Sequence, residues 1–288
     1  MILITGASGN VGSEVLKQAV AARLSVRAAY LSAEKAKAAP AGVETILMDY
    51  AQPETIRVAL DGIEKVFLVG PPAPNVAELE GGFVNEAQKS GVKHIVKLSA
   101  LGGHKATFPS HHRDSEEKIE ASGLPYTFLR PNGFMQNFVN YDAGTIKTQN
   151  AFYATTGNGA VSHIDIRDIA SVAVRVLSSS GHEGKAYSLT GPEALTNAQV
   201  AEKLSRALGR TIRYVDVPRD DFKKSLLSAG VPEWSANALI DLQRFYSEGG
   251  ASLVDPTVER LTGRRATSFD QFVHDYRFAF QQDTRAAS

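Results

Sequence analysis

Cysteine is absent from all 288 residues, which excludes disulfides, thiol nucleophiles and cysteine-held metals. Neither sign of charge is in excess, because 31 Lys and Arg balance 31 Asp and Glu. A chain without net charge lacks the electrostatic footprint of a nucleic-acid or anionic-membrane binder, and neither partner is expected. No apolar run reaches the ~20 residues needed to span a bilayer. The strand pattern starts at residue 2, so no signal peptide is expected, and a cytoplasmic setting follows as the default. The sequences HExxH and GxSxG do not occur, which argues against a zincin or a serine hydrolase. Internal repeats, low-complexity tracts and charge blocks are also missing.

A hydrophobic content of 43% over this length suffices for a substantial core and for one or two domains at roughly 150 residues each. The chain opens with an apolar, β-branched run, Met1-Ile2-Leu3-Ile4-Thr5, followed by Gly6-Ala7-Ser8-Gly9-Asn10-Val11-Gly12 and a helical pattern with Val11, Val15 and Ala19 on one face. The order is strand, tight glycine turn, helix start. Glycines there let the backbone turn off the strand, admit a pyrophosphate without side-chain obstruction and allow helix and sheet to pack closely. The amides at the helix start then face the phosphates. The spacing is GxxGxxG rather than GxGxxG, so its position behind a strand and ahead of a helix carries the assignment of Gly6, Ser8, Gly9, Asn10, Val11 and Gly12 to a dinucleotide.

Strand and helix signals alternate from there. Strands are expected at 25–31, 43–48, 66–69, 94–99 and 124–130, with helices between them, including one over 110–122. Near-continuous apolar strands in this alternation predict an α/β fold, a Rossmann-type doubly wound parallel sheet covered on both faces. Ligands on such sheets sit outside the carboxyl ends of the strands. That rule adds Leu31, Ser32, Lys35, Asp49, Tyr50, Val69, Gly70, Pro71, Pro72, Ser99 and Ala100 to the candidate cofactor wall. On the helix over 110–122, His112 and Glu116 are four apart and hence share a face, where the carboxylate could orient or charge the imidazole; the alternative is a solvated surface pair. Asn132, Phe134 and Phe138 mix aromatics with amides just past the sixth strand, as a pocket for a flat substrate or as ordinary core. The segment to about Ser162 reads as irregular. A helix then starts at 163–168, a last sheet strand falls at 187–191, Thr196 caps a helix to Leu208, 213–217 is a strand, and helices follow at 220–229, 233–247 and 269–280. No metal site is expected, since His104, His111 and His112 lack a matching carboxylate pattern.

No tyrosine is followed four residues later by lysine. The nearest approach, Tyr126 and Arg130, would lie about 13 Å apart on a strand at roughly 3.3 Å per residue, too far to cooperate.

Three segments together, Thr5 to Gly12, Gly91-Val92-Lys93-His94-Ile95-Val96 and Ser122 to Pro131, resemble the NmrA-like atypical short-chain dehydrogenase/reductases, and the branch of triphenylmethane reductase and bacterial quinone oxidoreductases within them. The resemblance covers nearly the whole chain. It implies a Rossmann domain over 1–132, completed by about 163–191, and a small, mostly helical substrate lobe over 133–162 and 192–288. It also implies direct hydride transfer from a nicotinamide to a small electron-poor acceptor, a quinone, dye, iminium or enone; a monomer or homodimer is expected. His112 and Glu116 take the places of a His-x-x-x-Glu pattern in that branch, whereas the isoflavone-reductase branch has a lysine where this chain has His112. NADPH-using relatives often carry arginine just past the second strand, where Leu31-Ser32 stands here. An NAD enzyme would offer an acidic residue thereabouts to the ribose, and past the second strand none is present until Glu34. With Ser32, Ser8, Lys35 and Arg27 as compensating candidates, NADP(H) is favoured over NAD(H). The other role the resemblance implies is that of a non-catalytic redox sensor, which binds dinucleotide and reports to a protein partner.

Overall fold

Apolar strands alternating with amphipathic helices bury both strand faces most completely in a parallel sheet. A computed structural model, which describes residues 1–282, has that arrangement. The first part of the chain runs β1 (Ile2–Ile4), α1 (Asn10–Ala21), β2 (Val26–Tyr30), α2 (Ala33–Ala36), β3 (Glu44–Leu47), α3 (Pro53–Leu60), β4 (Lys65–Leu68), α4 (Val76–Lys89), β5 (His94–Leu98), α5 (Thr107–Ala121) and β6 (Tyr126–Pro131). Next come α6 (Ala143–Gln149), β7 (Ala151–Ala154), β8 (Ala160–Val161), α7 (Ile166–Ser178) and β9 (Lys185–Leu189). The last part holds β10 (Leu195–Thr196), α8 (Asn197–Leu208), β11 (Arg213–Asp216), α9 (Arg219–Ser228), α10 (Glu233–Ser247), α11 (Thr257–Thr262), α12 (Phe269–Asp275) and α13 (Arg277–Phe280).

Seven strands form one sheet in the order β3-β2-β1-β4-β5-β6-β9, every pair parallel. The sequence of strands reverses direction between β1 and β4, which opens a crevice at their carboxyl ends. Both faces of the sheet are covered. Val15, Leu16, Ile169, Val172 and Val176 from α1 and α7 pack on one face, and Ile56, Phe83, Val84 and Ile119 from α3, α4 and α5 on the other. Each such side chain contributes about 1.5–3 kcal/mol on burial. A separate core gathers Phe138, Ile146, Phe152, Leu204, Phe269 and Phe272 from segments that leave the carboxyl ends of β6 and β9.

The structure differs from the sequence reading in four places. The stretch to Ser162 is ordered, with a π-helix at Phe138–Asp142 followed by α6, β7 and β8. Its Gly, Thr and Asn residues hide the periodicity, and Asn150 ends α6 in a left-handed conformation (φ 54°). The helix expected at 269–280 is broken at Tyr276 (φ −101°, ψ 16°), whose ring packs on Phe272 and under the Arg167 guanidinium. Helix α11 falls where none was expected, and the helix expected to start at 163–168 begins only at Ile166, capped by Asp165.

Candidate active site

The crevice is floored by the glycine loop. Gly6 sits at φ +60°, the left-handed region that favours glycine. A Cβ on Gly12 would lie 2.1 Å from the Gly6 carbonyl oxygen, so the first turn of α1 rests directly on the loop. Gly9 precedes α1 without any side-chain cap, and the first turn holds no acidic residue. Among the described residues, the amides of Asn10, Val11 and Gly12 find no acceptor. Helix starts ordinarily satisfy such amides with a capping side chain, water or a ligand. They lie beside exposed Ser8, Gly9 and Asn10, with the positive end of a twelve-residue helix behind them. These residues fit a diphosphate.

The neighbouring strand ends form the walls. Thr5 at the end of β1 accepts from the Val69 amide through Oγ1 (2.7 Å), locking it to the end of β4. The Tyr50 hydroxyl donates to the Val69 carbonyl (2.9 Å), and burial, with Glu80 nearby, pushes that phenol up from its ordinary value. Asp49 holds its own turn by accepting from Ala51 N (2.9 Å). Gly70 donates its amide to Glu80 Oε1 (2.8 Å), and a Cβ there would lie 2.7 Å from that oxygen. Pro71 is half-buried and Pro72 exposed. Past β2, Leu31 and Lys35 are exposed, and Ser32 caps the short α2 by accepting from Lys35 N (3.4 Å). Arg27 does not reach this edge. It lies near the opposite end of β2, bonded to Glu44 Oε1 (2.6 Å) and to the Ala59 and Asp61 carbonyls, and does not compensate for the missing arginine.

On the β5 side the expected pairing is replaced by two others. Glu116 does not orient His112. Buried on the inner face of α5, it accepts from Ser99 Oγ (2.6 Å) and from Arg130 Nε (2.9 Å) and Arg113 Nη1 (2.9 Å). Burial pushes its carboxyl up, but the bonds from Arg130, Ser99 and Arg113 together hold it below the usual range. His112 instead meets Lys97, whose Nζ lies 3.3 Å from its Nδ1. Burial first, then the Lys97 and His111 charges, keep His112 well below the ordinary imidazole range, hence neutral at pH 7. Phe108 packs its ring edgewise on His112. Ser99 is buried and Ala100 half-buried beside them. His104 stands apart, on exposed surface with Glu117 (3.1 Å) and Asp114 (3.9 Å).

Past β6, Asn132 is a structural tie rather than an open pocket wall: its Nδ2 donates to Ser162 Oγ (2.8 Å) and the Ala251 carbonyl (2.7 Å). Phe138 is turned into the second core, against Phe152, His163 and Phe269. Phe134 remains half-buried, bridged to Ile164. Sequence reading missed Lys97, Glu80, His163 and Tyr246. A lysine inside the apolar run 94–98, and a glutamate at helical spacing from Val76, Ala77, Phe83 and Val84, were the available signals for the first two. His163 and Tyr246 carried none, since only the fold brings them beside Gly133.

Both ring nitrogens of His163 are buried and unpartnered, and burial lowers its pKa to about 4. An unfolded histidine near 6.5 takes up a proton that the folded one refuses. Stability is therefore full above pH 6.5 and falls as pH drops toward 4, by on the order of 2–3 kcal/mol. A His163→Leu variant is expected to lose correspondingly less stability than wild type between pH 7 and 4 in urea unfolding; parallel curves would contradict this.

The chain is similar to known proteins over nearly its full length. It is 37% identical over 284 residues to an NAD(P)H azoreductase of Xenophilus azovorans, covering 97% of this chain and 99% of that one. Its structure resembles that of an NADPH-dependent quinone oxidoreductase from Escherichia coli complexed with NADPH (TM-score 0.88, 29% identity, 96% of this chain and 100% of that one). It also resembles Citrobacter sp. triphenylmethane reductase complexed with NADP(H) (TM-score 0.87, 28% identity, 96% and 99%). Residues 1–272 match the NmrA-like family, and with the uncapped glycine loop at the switch point of a parallel sheet, the chain belongs to that family.

Proposed function

We infer that this protein is an NAD(P)H-dependent oxidoreductase, with NADP(H) the preferred coenzyme, acting on a small electron-poor acceptor of the quinone or dye type. The observation that carries this reading is the set of free amides at Asn10, Val11 and Gly12, with a neutral His112 of α5 held beside Lys97 of β5. A bound nicotinamide supplies the hydride. The chain's own residues do the rest. The amides of residues 10–12 would hold the diphosphate, Leu31, Ser32 and Lys35 would meet the adenosine ribose, and Val69 to Pro72 with Ser99 and Ala100 would wall the nicotinamide side. His112 and Phe134 position the acceptor. Glu116 fixes α5, and with it His112, against the sheet. Domains at 1–132 with 163–191, and at 133–162 with 192–288, divide these roles, in a cytoplasmic monomer or homodimer. No helix among the described residues is long and apolar enough to cross a membrane.

His112→Ala is expected to lower kcat/KM for a quinone by about 100-fold, the usual effect of removing one donor at a developing oxyanion, while the NADPH dissociation constant changes less than about threefold. An unchanged kcat/KM removes His112 from the site. NADPH binding without oxidation by quinones, azo dyes or iminium compounds would point to the sensor role instead.

A further inference from the structure

Lys97 is fully buried, as is Glu80. An ammonium has three N–H donors and no acceptor, and all three are committed here: to Glu80 Oε1 (2.9 Å), to the Leu98 carbonyl (2.7 Å) and to His112 Nδ1 (3.3 Å). A donor that cannot accept requires Nδ1 to be the accepting nitrogen, so the single proton of the neutral ring sits on Nε2. Nε2 has no partner among the described residues and is not among the buried unpartnered atoms. Glu80 in turn takes the Gly70 amide on the same Oε1. One carboxylate thus joins the coenzyme wall at the end of β4 to the lysine behind His112.

We propose that Lys97, anchored by Glu80, is a positioning residue that fixes His112 as the Nε2–H tautomer. The imidazole then meets the cleft as a hydrogen-bond donor, and the site favours acceptors whose reduction places negative charge on oxygen or nitrogen. The inference rests on the reductase reading for its substrate class only. When hydride adds to a quinone or an enone, the electron pair moves to the oxygen, His112 Nε2–H bonds the resulting anion, and water supplies the proton that completes the product. Coenzyme is oxidised and acceptor reduced. A cationic triarylmethane dye or an iminium becomes neutral on the same addition and gains nothing from that donor. The geometry therefore selects quinones, azo compounds and enones over cationic acceptors.

The test is a long-range proton–nitrogen NMR correlation of histidine side chains in the 15N-labelled full chain at pH 7, with His112 assigned by its loss in His112→Gln. Wild type should show an unprotonated Nδ1 and a protonated Nε2. Lys97→Met/Glu80→Gln, which removes both charges together, should show a mixture of tautomers. In that variant kcat/KM for a quinone should fall about tenfold, the worth of one well-placed hydrogen bond, while a cationic triarylmethane dye changes less than about threefold. A protonated Nδ1 in wild type overturns the proposal, and this arm does not depend on the variant's folding. So does an unchanged single tautomer in the variant, or an equal loss with both acceptors. Absence of NADPH oxidation by either acceptor in wild type would defeat the reductase reading, while the NMR result still decides the tautomer.

Discussion

A Gly12→Ala variant should bind NADPH at least about 100-fold more weakly than wild type while keeping its secondary structure. The added Cβ would lie 2.1 Å from the Gly6 carbonyl oxygen and 2.6 Å from its carbon. Both are backbone atoms, and no side chain can swing aside to make room. The first turn of α1 must lift off the loop, and the amides of residues 10–12 move with it. Charge-assisted hydrogen bonds are worth about 1.5–3 kcal/mol each, so misplacing two of them costs on the order of 3 kcal/mol or more, which is over 100-fold in affinity. Fluorescence titration with NADPH, beside a circular dichroism spectrum, reads the effect. A dissociation constant within about threefold of wild type would place the diphosphate elsewhere.

The second large effect is on stability. Lys97→Met leaves the fully buried Glu80 carboxylate without its counter-charge, and breaking a buried pair from one side typically costs about 3–5 kcal/mol. Glu80 Oε2 already lacks a partner, so nothing nearby takes up the freed charge. In a chain of this size the melting temperature should fall on the order of 10 °C. Lys97→Met/Glu80→Gln, with no buried charge left, should recover more than half of the loss, because desolvation of both ions offsets much of their attraction. A single variant within about 1 kcal/mol of wild type in urea unfolding would mean that the pair is not held as an ion pair.

How far the site can be read from sequence divides along physical lines. The glycine loop and the strand ends are local: each glycine answers to a turn or a close approach within a dozen residues, and the parallel-sheet rule then gathers Leu31, Asp49, Val69 and Ser99 on one edge without knowledge of side chains. Pairings across elements are not local. Helical spacing brings Glu116 near His112, but it cannot show that Arg130 and Ser99, arriving from β6 and the end of β5, compete for the same carboxylate. Nor can it show that Lys97 stands behind the imidazole. Aromatic residues fail for a related reason. Phe134 and Phe138 look alike in sequence, and only the second core decides that Phe138 points inward. The stretch from 139 to 162 lacked periodicity because its order comes from packing and from the parallel pairing of β7 with β11, 62 residues further along the chain.

Anaerobic mixing of the protein with NADPH and then with a quinone, followed by nicotinamide absorbance, separates a working reductase from a protein that only binds the coenzyme. NADPH should bind saturably, and its reduced nicotinamide signal should be lost stoichiometrically when quinone is added, with turnover sustained under excess of both. Failure of NADPH to bind, or bound NADPH that persists unchanged in the presence of quinones and azo dyes, would contradict it.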